Sequence, residues 1–538
     1  MNPPFGIRSL ILLLGIAAAP FVPTFAAEQP NFLVIVADDL GFSDLGCYGG
    51  EINTPNLDRL AGQGTRFTRF YTTSRCCPSR AALLTGQYPH AVGLGHMTQD
   101  LQRPGYRGRV TPGVPTIAEV LEPLGYQSYL AGKWHLGTDD PTAHGFLEFY
   151  GTLVSAKTFW DPDHFTRLPA DRKRIEYPAD KFYATDAVTD HALQFLEIAQ
   201  SNPDQPWFLY LAYNAPHFPL QAPQEDIARY ADRYHDGWDV IREERLARMK
   251  ELGILPPETP LTARSPYANY GETETGINPA WTDLPEDRRA DLARRMAIYA
   301  AMIDRMDQQI GRVVEQLEQS DQLNNTVIVF LSDNGACAEW DPHGFDISSS
   351  PNNILHRGDE LDQMGTPGTF HSVGSGWANA SNTPFRMYKH YVHEGGITSP
   401  CIVFDPRNHT DGGQISDIPL HLIDLLPTLV TAAGGTVDDR YPGQSLQKYV
   451  KSTNVERPLF FEHEGNRAIH AGRWKLVAFR DRPWELYDMQ RDRVEQNNLI
   501  RAHPEIAADL HQQWNTWAEA NQVTPLPEDY EVQYLRSH

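Results

Sequence analysis

Asn31-Phe-Leu-Val-Ile-Val-Ala37, followed at once by Asp38-Asp39, is the stretch on which the fold reading turns. The run is β-branched, apolar and without polar alternation, as expected of a strand covered on both faces in a parallel sheet. Three more runs end in the same way. Gln127-Ser-Tyr-Leu-Ala131 leads into Gly132-Lys-Trp-His135, Trp207-Phe-Leu-Tyr-Leu-Ala-Tyr213 into Asn214-Ala-Pro-His217, and Thr326-Val-Ile-Val-Phe-Leu331 into Ser332-Asp-Asn-Gly335. Helical signals lie between them. Thr116-Ile-Ala-Glu119 is a capping-box start for a short helix ended by Pro123 and Gly125. Tyr299, Ile303, Met306, Ile310, Val313 and Leu317 recur at spacings of four and three, one face of a long amphipathic helix. Helices alternating with parallel-type strands predict an α/β sheet whose ligand crevice lies beyond the carboxyl ends of the strands. Asp38, Asp39, Lys133, His135, His217, Asp333 and Asn334 would then converge. Asp, Asn and Gly also follow strands merely as turn formers. Four such ends together favour convergence.

The 538-residue chain is 41% hydrophobic and 21% charged, which fits a globular protein with a sizeable core and excludes coiled-coil and disordered classes. Lys and Arg number 46 against 69 Asp and Glu, and the resulting net charge of −23 repels nucleic acid. An anionic substrate therefore needs a local cluster of cations or a metal. Arg8, the apolar run 10–19, then Pro20, Pro23, Ala26 and Ala27 follow the order of a secretory signal, and the run is too short to span a bilayer comfortably. Residues 1–26 are expected to be cleaved, leaving an exported protein, periplasmic or secreted and free of the membrane. Cys47, Cys76, Cys77, Cys337 and Cys401 are too few and scattered for a disulfide scaffold, and an odd count in an oxidising compartment leaves one sulfur to explain.

Residues 336–381, rich in Gly, Ser, Asn, His and Asp, read as a long insertion over the crevice, able to shape substrate choice. Beyond Arg457 the pattern changes to short strands at 458–462, 468–479 and 484–488 and a helix over about 504–520. This divides the mature chain into a catalytic domain, 27–456, and a small C-terminal subdomain, 457–538. His371, Trp377, His393 and His463 could line a substrate pocket, although core packing accounts for them equally well.

Ser74-Arg-Cys-Cys-Pro-Ser-Arg80, followed by Ala-Ala-Leu-Leu-Thr-Gly86, carries the most chemistry. Pro78 and Ser79 suit a first helical turn, which places Cys76 just before the helix N-terminus, where backbone N–H groups and the helix dipole favour an anion. Arg80 adds fixed charge. The pattern supports a low-pKa nucleophilic or modified cysteine beside an anion site, and a structural cysteine pair fits the spacing as well.

Cys76-Cys-Pro-Ser-Arg80 with Thr85-Gly86 resembles the signature of the type I sulfatases, of the alkaline phosphatase superfamily, in which the first Cys of C-x-P-S-R becomes formylglycine. That cysteine is Cys76, two positions before Pro78 and four before Arg80; Cys77 falls in the variable position. The family's other motifs are resembled in the expected order by Val36-Ala-Asp-Asp-Leu-Gly41, Gly132-Lys-Trp-His-Leu-Gly137, Ala215-Pro-His-Phe-Pro219, Ser332-Asp-Asn-Gly335, and Thr383-Pro-Phe-Arg-Met-Tyr-Lys389 before His393-Glu-Gly-Gly396. The pattern is most similar to the bacterial arylsulfatase branch. It implies an alkaline-phosphatase-like α/β fold: a mixed, mostly parallel sheet flanked by helices, with a small C-terminal α+β subdomain.

The resemblance also implies roles. Asp38, Asp39, Asp333, Asn334 and the modified Cys76 would hold one calcium ion, and oxygen ligands suit such a hard cation better than zinc. Hydrated formylglycine offers two hydroxyls on one carbon, one to attack sulfur and one to expel sulfate afterwards. Arg80 and Lys133 would hold the hydrate and developing charge, and Lys389 the sulfate oxygens. His135 is the candidate base or orienting partner and His217 the candidate acid for the leaving oxygen. The implied reaction is hydrolysis of a sulfate monoester, of an aryl alcohol or a sugar, after a formylglycine-generating maturation enzyme has acted. The alternatives are a phosphonate monoester or phosphodiester hydrolase of the same superfamily, and a catalytically idle sulfated-glycan binding protein.

Overall fold

Alternate side chains of Asn31–Ala37 bury in opposite directions: Leu33, Ile35 and Ala37 join one core layer, Phe32, Val34 and Val36 the other. This two-sided burial is why the run lacks polar alternation. The computed structural model describes Met1 and residues 29–525 apart from 179–180, 268–275, 340, 351, 408–411 and 449–456. Its main sheet contains, in chain order, β1 (Asn31–Ala37), β2 (Thr65–Tyr71), β3 (Gln127–Lys133), β4 (Glu148–Thr152), β5 (Thr166–Leu168), β6 (Trp207–Ala212), β7 (Thr326–Ser332), β8 (Thr398–Phe404), β9 (Gln414–Ser416) and β10 (Leu420–His421). The spatial order is β9-β2-β8-β7-β1-β6-β3-β4-β5, with β10 also on β2. The central run β7-β1-β6-β3-β4 is parallel, while β8 is antiparallel to both neighbours and β5 antiparallel to β4. The sheet is mixed and mostly parallel, as the family resemblance implies.

The helices used below are α1 (Cys76–Thr85), α2 (Ala184–Gln200), α3 (Glu286–Gln319), α4 (Ser375–Ser381), α5 (Leu425–Ala432) and α6 (Pro504–Ala520). Helices α2 and α3 supply one core layer and α1 and α5 the other. The predicted face of α3, from Tyr299 to Leu317, is wholly buried, although the helix begins much earlier, at Glu286. The capping box at Thr116 is present, with the Glu119 N–H donating to Thr116 Oγ1 and the Thr116 N–H to Glu119 Oε2, at the start of the helix Ile117–Leu121.

The C-terminal sheet is an antiparallel meander of β11 (Leu459–His463), β12 (Asn466–Ala471), β13 (Trp474–Ala478) and β14 (Glu485–Asp488). Helix α6 covers one face through Ala507 and Leu510, and Tyr71 of β2 with Val392 and Ile397 covers the other. Two expectations change here. The run 468–479 is two strands, because Gly472, at φ +57, reverses the chain within it. The insertion 336–381 is not all surface: α4 is buried, and Trp377, at 0% exposure, donates its indole N–H to Leu292 O at 2.8 Å, so it packs the core and lines no substrate pocket. The predicted signal 1–26 lies, Met1 apart, outside the described residues, and the predicted boundary after residue 456 adjoins an undescribed segment. Among the described residues no helix is long and apolar enough to cross a membrane.

Burial of histidines makes stability sensitive to acid. Burial pushes His421 and His470 down to about 3 and His191 down to about 4, from 6.5. Below pH 6.5 the unfolded chain takes up protons that the folded chain refuses, so this stability is complete above 6.5 and falls as pH drops. By pH 5 each histidine is expected to remove about 2 kcal/mol. Urea midpoints measured at pH 7 and pH 5 check this; equal midpoints would contradict it.

Candidate active site

Because β7, β1, β6 and β3 are adjacent and parallel, their carboxyl ends open on one side of the sheet. Asp38 and Asp39 follow β1, Asp333 and Asn334 follow β7, Lys133 is the last residue of β3, and His217 lies just past β6. Asp39 and His135 have left-handed φ angles of 69° and 56°, bending the chain out of the sheet at the crevice. At Gly132, φ +115, a Cβ would lie 1.8 Å from Ala212 O, so only glycine lets β3 run this close to β6 immediately before Lys133.

Cys76 occupies the first turn of α1 itself, one step further into the helix than the sequence predicts, with extended Arg75 as the capping residue. Ser74, at φ 65°, and Arg75 complete the entry turn, so Pro78 sits at the third helical position. Every residue of α1 is buried. One turn on, Arg80 donates through Nε and Nη2 to Asp333 Oδ2 at 3.1 and 2.8 Å and through Nη1 to Lys133 O at 3.0 Å. Arg80 Nη2 is also 3.6 Å from Asp38 Oδ1.

The other cations pair separately. Lys133 Nζ donates to Asp38 Oδ2 at 2.6 Å and Lys389 Nζ to Asp39 Oδ2 at 2.8 Å. Asn334 Nδ2 donates to Asp39 Oδ1 at 2.7 Å, and the Asp39 N–H to Asp333 Oδ1 at 3.2 Å. The structure thus joins Asp38, Asp39, Asp333 and Asn334 with Arg80, Lys133 and Lys389 in one buried network. Two acceptors stand apart: Asp38 Oδ1 and Asn334 Oδ1 are buried without hydrogen-bond partners. Burial opposes charge on Asp38, but Lys133, His217 and Arg80 outweigh it and hold its carboxyl below the usual range. Burial and the adjacent Asp38 push Asp333 up in spite of Arg80. Crowded carboxylates with unpartnered oxygens fit a hard divalent cation, which would relieve their mutual repulsion.

A hydrogen bond from Cys77 lowers the Cys76 thiol well below its ordinary value, and Lys133, His135 and Lys389 act in the same direction against burial. Residue 76 is therefore an anion-stabilising position, as the helix start predicts. Burial and Lys133 push His135 down to about 4, so it stays neutral and can accept a proton. Burial also lowers His217, against the pull of Asp39 and Asp38. Its Nδ1 faces Phe218 O at 2.6 Å and its Nε2 lies 3.5 Å from Asp39 Oδ2. Donation from Nδ1 to that carbonyl leaves Nε2 as the atom that must carry a proton if His217 serves as an acid.

Sequence reasoning missed an ion pair at the rim. Arg75 Nη1 lies 2.5 Å from Glu339 Oε1, and Arg75 with Lys389 holds the half-buried Glu339 carboxyl below its usual range. Adjacency to Cys76 is the signal that could have found Arg75; Glu339 lies in a segment without periodicity or motif. His371 pairs with Asp346 at 2.5 Å, and His393 stands buried at a short helix start, 3.7 Å from Glu485.

The Sulfatase family matches residues 30–435, most of the chain, and the family described as N-sulphoglucosamine sulphohydrolase, C-terminal, matches residues 385–520. The chain belongs to the sulfatase family. This sulfatase is 36% identical to the arylsulfatase of Klebsiella aerogenes, over 78% of this chain and 89% of that one. It is 33% identical to an uncharacterised sulfatase of Schizosaccharomyces pombe, over 94% of this chain and 96% of the other. Among solved structures, Ps i-CgsB in complex with k-i-k-neocarrahexaose superposes with a TM-score of 0.66 at 25% identity, covering 94% of this chain and 97% of that one. The sulfatase is a sulfuric ester hydrolase with the mostly parallel α/β sheet and C-terminal sheet subdomain of its relatives.

Proposed function

We propose that this sulfatase cleaves its ester with a formylglycine made from Cys76, beside a calcium ion held by Asp38, Asp39, Asp333, Asn334 and residue 76. The observation that carries this reading is the placement of Cys76 in the first turn of buried α1, ringed by Lys133, His135 and Lys389 next to the unpartnered oxygens of Asp38 and Asn334. Bound calcium would offset the charge of the sulfate oxygens, and hydrated formylglycine would supply one hydroxyl for attack and another for release of sulfate.

The remaining work falls to the chain's own side chains. Arg80, anchored on Asp333 and the Lys133 carbonyl, fixes a positive charge one helical turn from residue 76. Lys133 stands beside the attacking position and Lys389, from the loop after α4, meets the sulfate oxygens, both being cations aimed where negative charge grows. His135, held neutral, takes the proton from the attacking hydroxyl. His217 gives a proton to the leaving alcohol from Nε2, with Asp39 stabilising the imidazolium. The substrate is a sulfate monoester of an aryl alcohol or of a sugar, in line with an arylsulfatase relative and a neighbour solved with k-i-k-neocarrahexaose. The signal-like order of residues 1–27 supports export and maturation by a formylglycine-generating enzyme.

The test is the mass of the peptide containing Cys76 in protein from its native host, with turnover of matched aryl sulfate and aryl phosphodiester substrates by the same sample. The expected result is the loss of mass for replacement of thiol by aldehyde, with the sulfate ester turned over faster. An unmodified Cys76 in an active sample would sink the formylglycine mechanism, and preference for the phosphodiester would sink the sulfate assignment.

A further inference from the structure

His96, His390, His463 and Glu464 come from distant segments and meet in a cluster, buried apart from the half-buried His390, that takes no part in the chemistry above. Glu464 Oε1 lies 2.5 Å from His96 Nε2 and 3.8 Å from His463 Nε2, while Oε2 lies 3.2 Å from His390 Nδ1. One potential ligand atom from each of His390, His463 and Glu464 lies within 4.8 Å of the others. Three imidazoles therefore surround a single carboxylate.

The decisive group is His463. It is 0% exposed, and neither ring nitrogen has a hydrogen-bond partner. Buried polar atoms are normally satisfied, and packing alone would be served as well by an apolar ring. The backbone adds a second, independent observation. His390 and Glu464 have left-handed φ angles of 85° and 50°, a region that non-glycine residues avoid unless the surroundings hold them there. The holding contacts are present: the His390 N–H donates to Ser74 O at 2.7 Å, and Asn466 Nδ2 donates to His463 O at 3.1 Å.

We propose that His390, His463 and Glu464 bind a second metal, a divalent transition ion such as zinc, with His96 holding the Glu464 carboxylate in place. Two imidazole nitrogens and one carboxylate form a borderline donor set suited to zinc or its neighbours, in contrast to the oxygen-only set around Asp38. Binding draws the three donors inward to about 2.0–2.2 Å from the ion, while the His96–Glu464 hydrogen bond orients the carboxylate. The ion would clamp the turn between β11 and β12 to the loop after Lys389, and through Ser74 to the entrance of α1.

The test uses the full-length Cys76→Ala protein, so that zinc cannot be taken up by Cys76 with Cys77 and His135, which also lie close together. After metal removal and calcium replenishment, zinc is titrated in and content per chain is measured following gel filtration. The expected result is one zinc retained per chain, a raised thermal midpoint and, with cobalt in place of zinc, the visible absorption of a nitrogen-rich low-symmetry site. His463→Asn and Glu464→Gln should each weaken zinc binding at least tenfold while calcium content stays unchanged; Asp38→Asn should do the reverse. Equal zinc retention by the His463 and Glu464 variants, or no retained zinc and no cobalt spectrum in the intact cluster, would overturn the proposal and leave a hydrogen-bonded Glu–His cluster. Should His463→Asn fail to fold, the cobalt spectrum of the intact cluster decides alone.

Discussion

Changing Cys76 to Ala is expected to leave a folded protein whose kcat on an aryl sulfate falls by on the order of 10⁴- to 10⁶-fold, the usual cost of deleting a nucleophile that works within a unit. The side chain is small and almost wholly buried in the first turn of α1, so Ala fits without a clash and creates no sizeable cavity. The thermal midpoint should stay within a few degrees of wild type. Ser at the same position gives a sharper result. A single hydroxyl can attack sulfur, but it has no geminal partner to expel sulfate, so at most one equivalent of alcohol is released and sulfate stays on the enzyme. Rapid-quench kinetics and the mass of the intact protein measure both. Steady turnover by Cys76→Ala would remove residue 76 from the mechanism.

Arg80→Ala should cost stability and activity together. The guanidinium is 0% exposed and satisfies both Asp333 Oδ2 and Lys133 O. Its removal leaves a buried carboxylate beside Asp38 without its counter-charge, and breaking such a pair costs about 3–5 kcal/mol. Turnover falls as well, because Asp333 and Lys133 lose the contact that fixes them. Arg80→Lys keeps the charge and loses the fork, since one ammonium cannot span Asp333 and the Lys133 carbonyl as the guanidinium does. It should recover part of the stability and little of the activity. Urea midpoints with kcat/KM for both variants check the argument; a loss under about 1 kcal/mol for Arg80→Ala would show that the buried pair is not holding the site.

How much of this was legible beforehand depends on the range of the interaction. The strands β1, β6 and β7 were readable because a strand buried on both faces must be apolar throughout, and α3 because its buried stripe repeats with the helical period. Helix α4 was not readable: its seven residues are buried on every side, so no polar face marks the period. The strand pair β12 and β13 looked like one run because alternation continues through the turn at Gly472. At the site, residue types were legible and partners were not. Nothing in the motifs says that Lys133 pairs with Asp38 and Lys389 with Asp39, or that Arg80 anchors on Asp333.

By itself the sequence determined the apolar runs that form the central strands, the donor-bearing residues at their carboxyl ends, and the cysteine motif opening a helix, because each depends on neighbours a few positions apart. Only the tertiary structure decided the strand order β7-β1-β6-β3, the unpartnered oxygens of Asp38 and Asn334, the rim pair of Arg75 with Glu339 and the gathering of His390, His463 and Glu464 with His96 bonded to Glu464. Those features join segments far apart in the chain. Their geometry follows from which strands pair and how helices pack over them, and local periodicity carries no record of either.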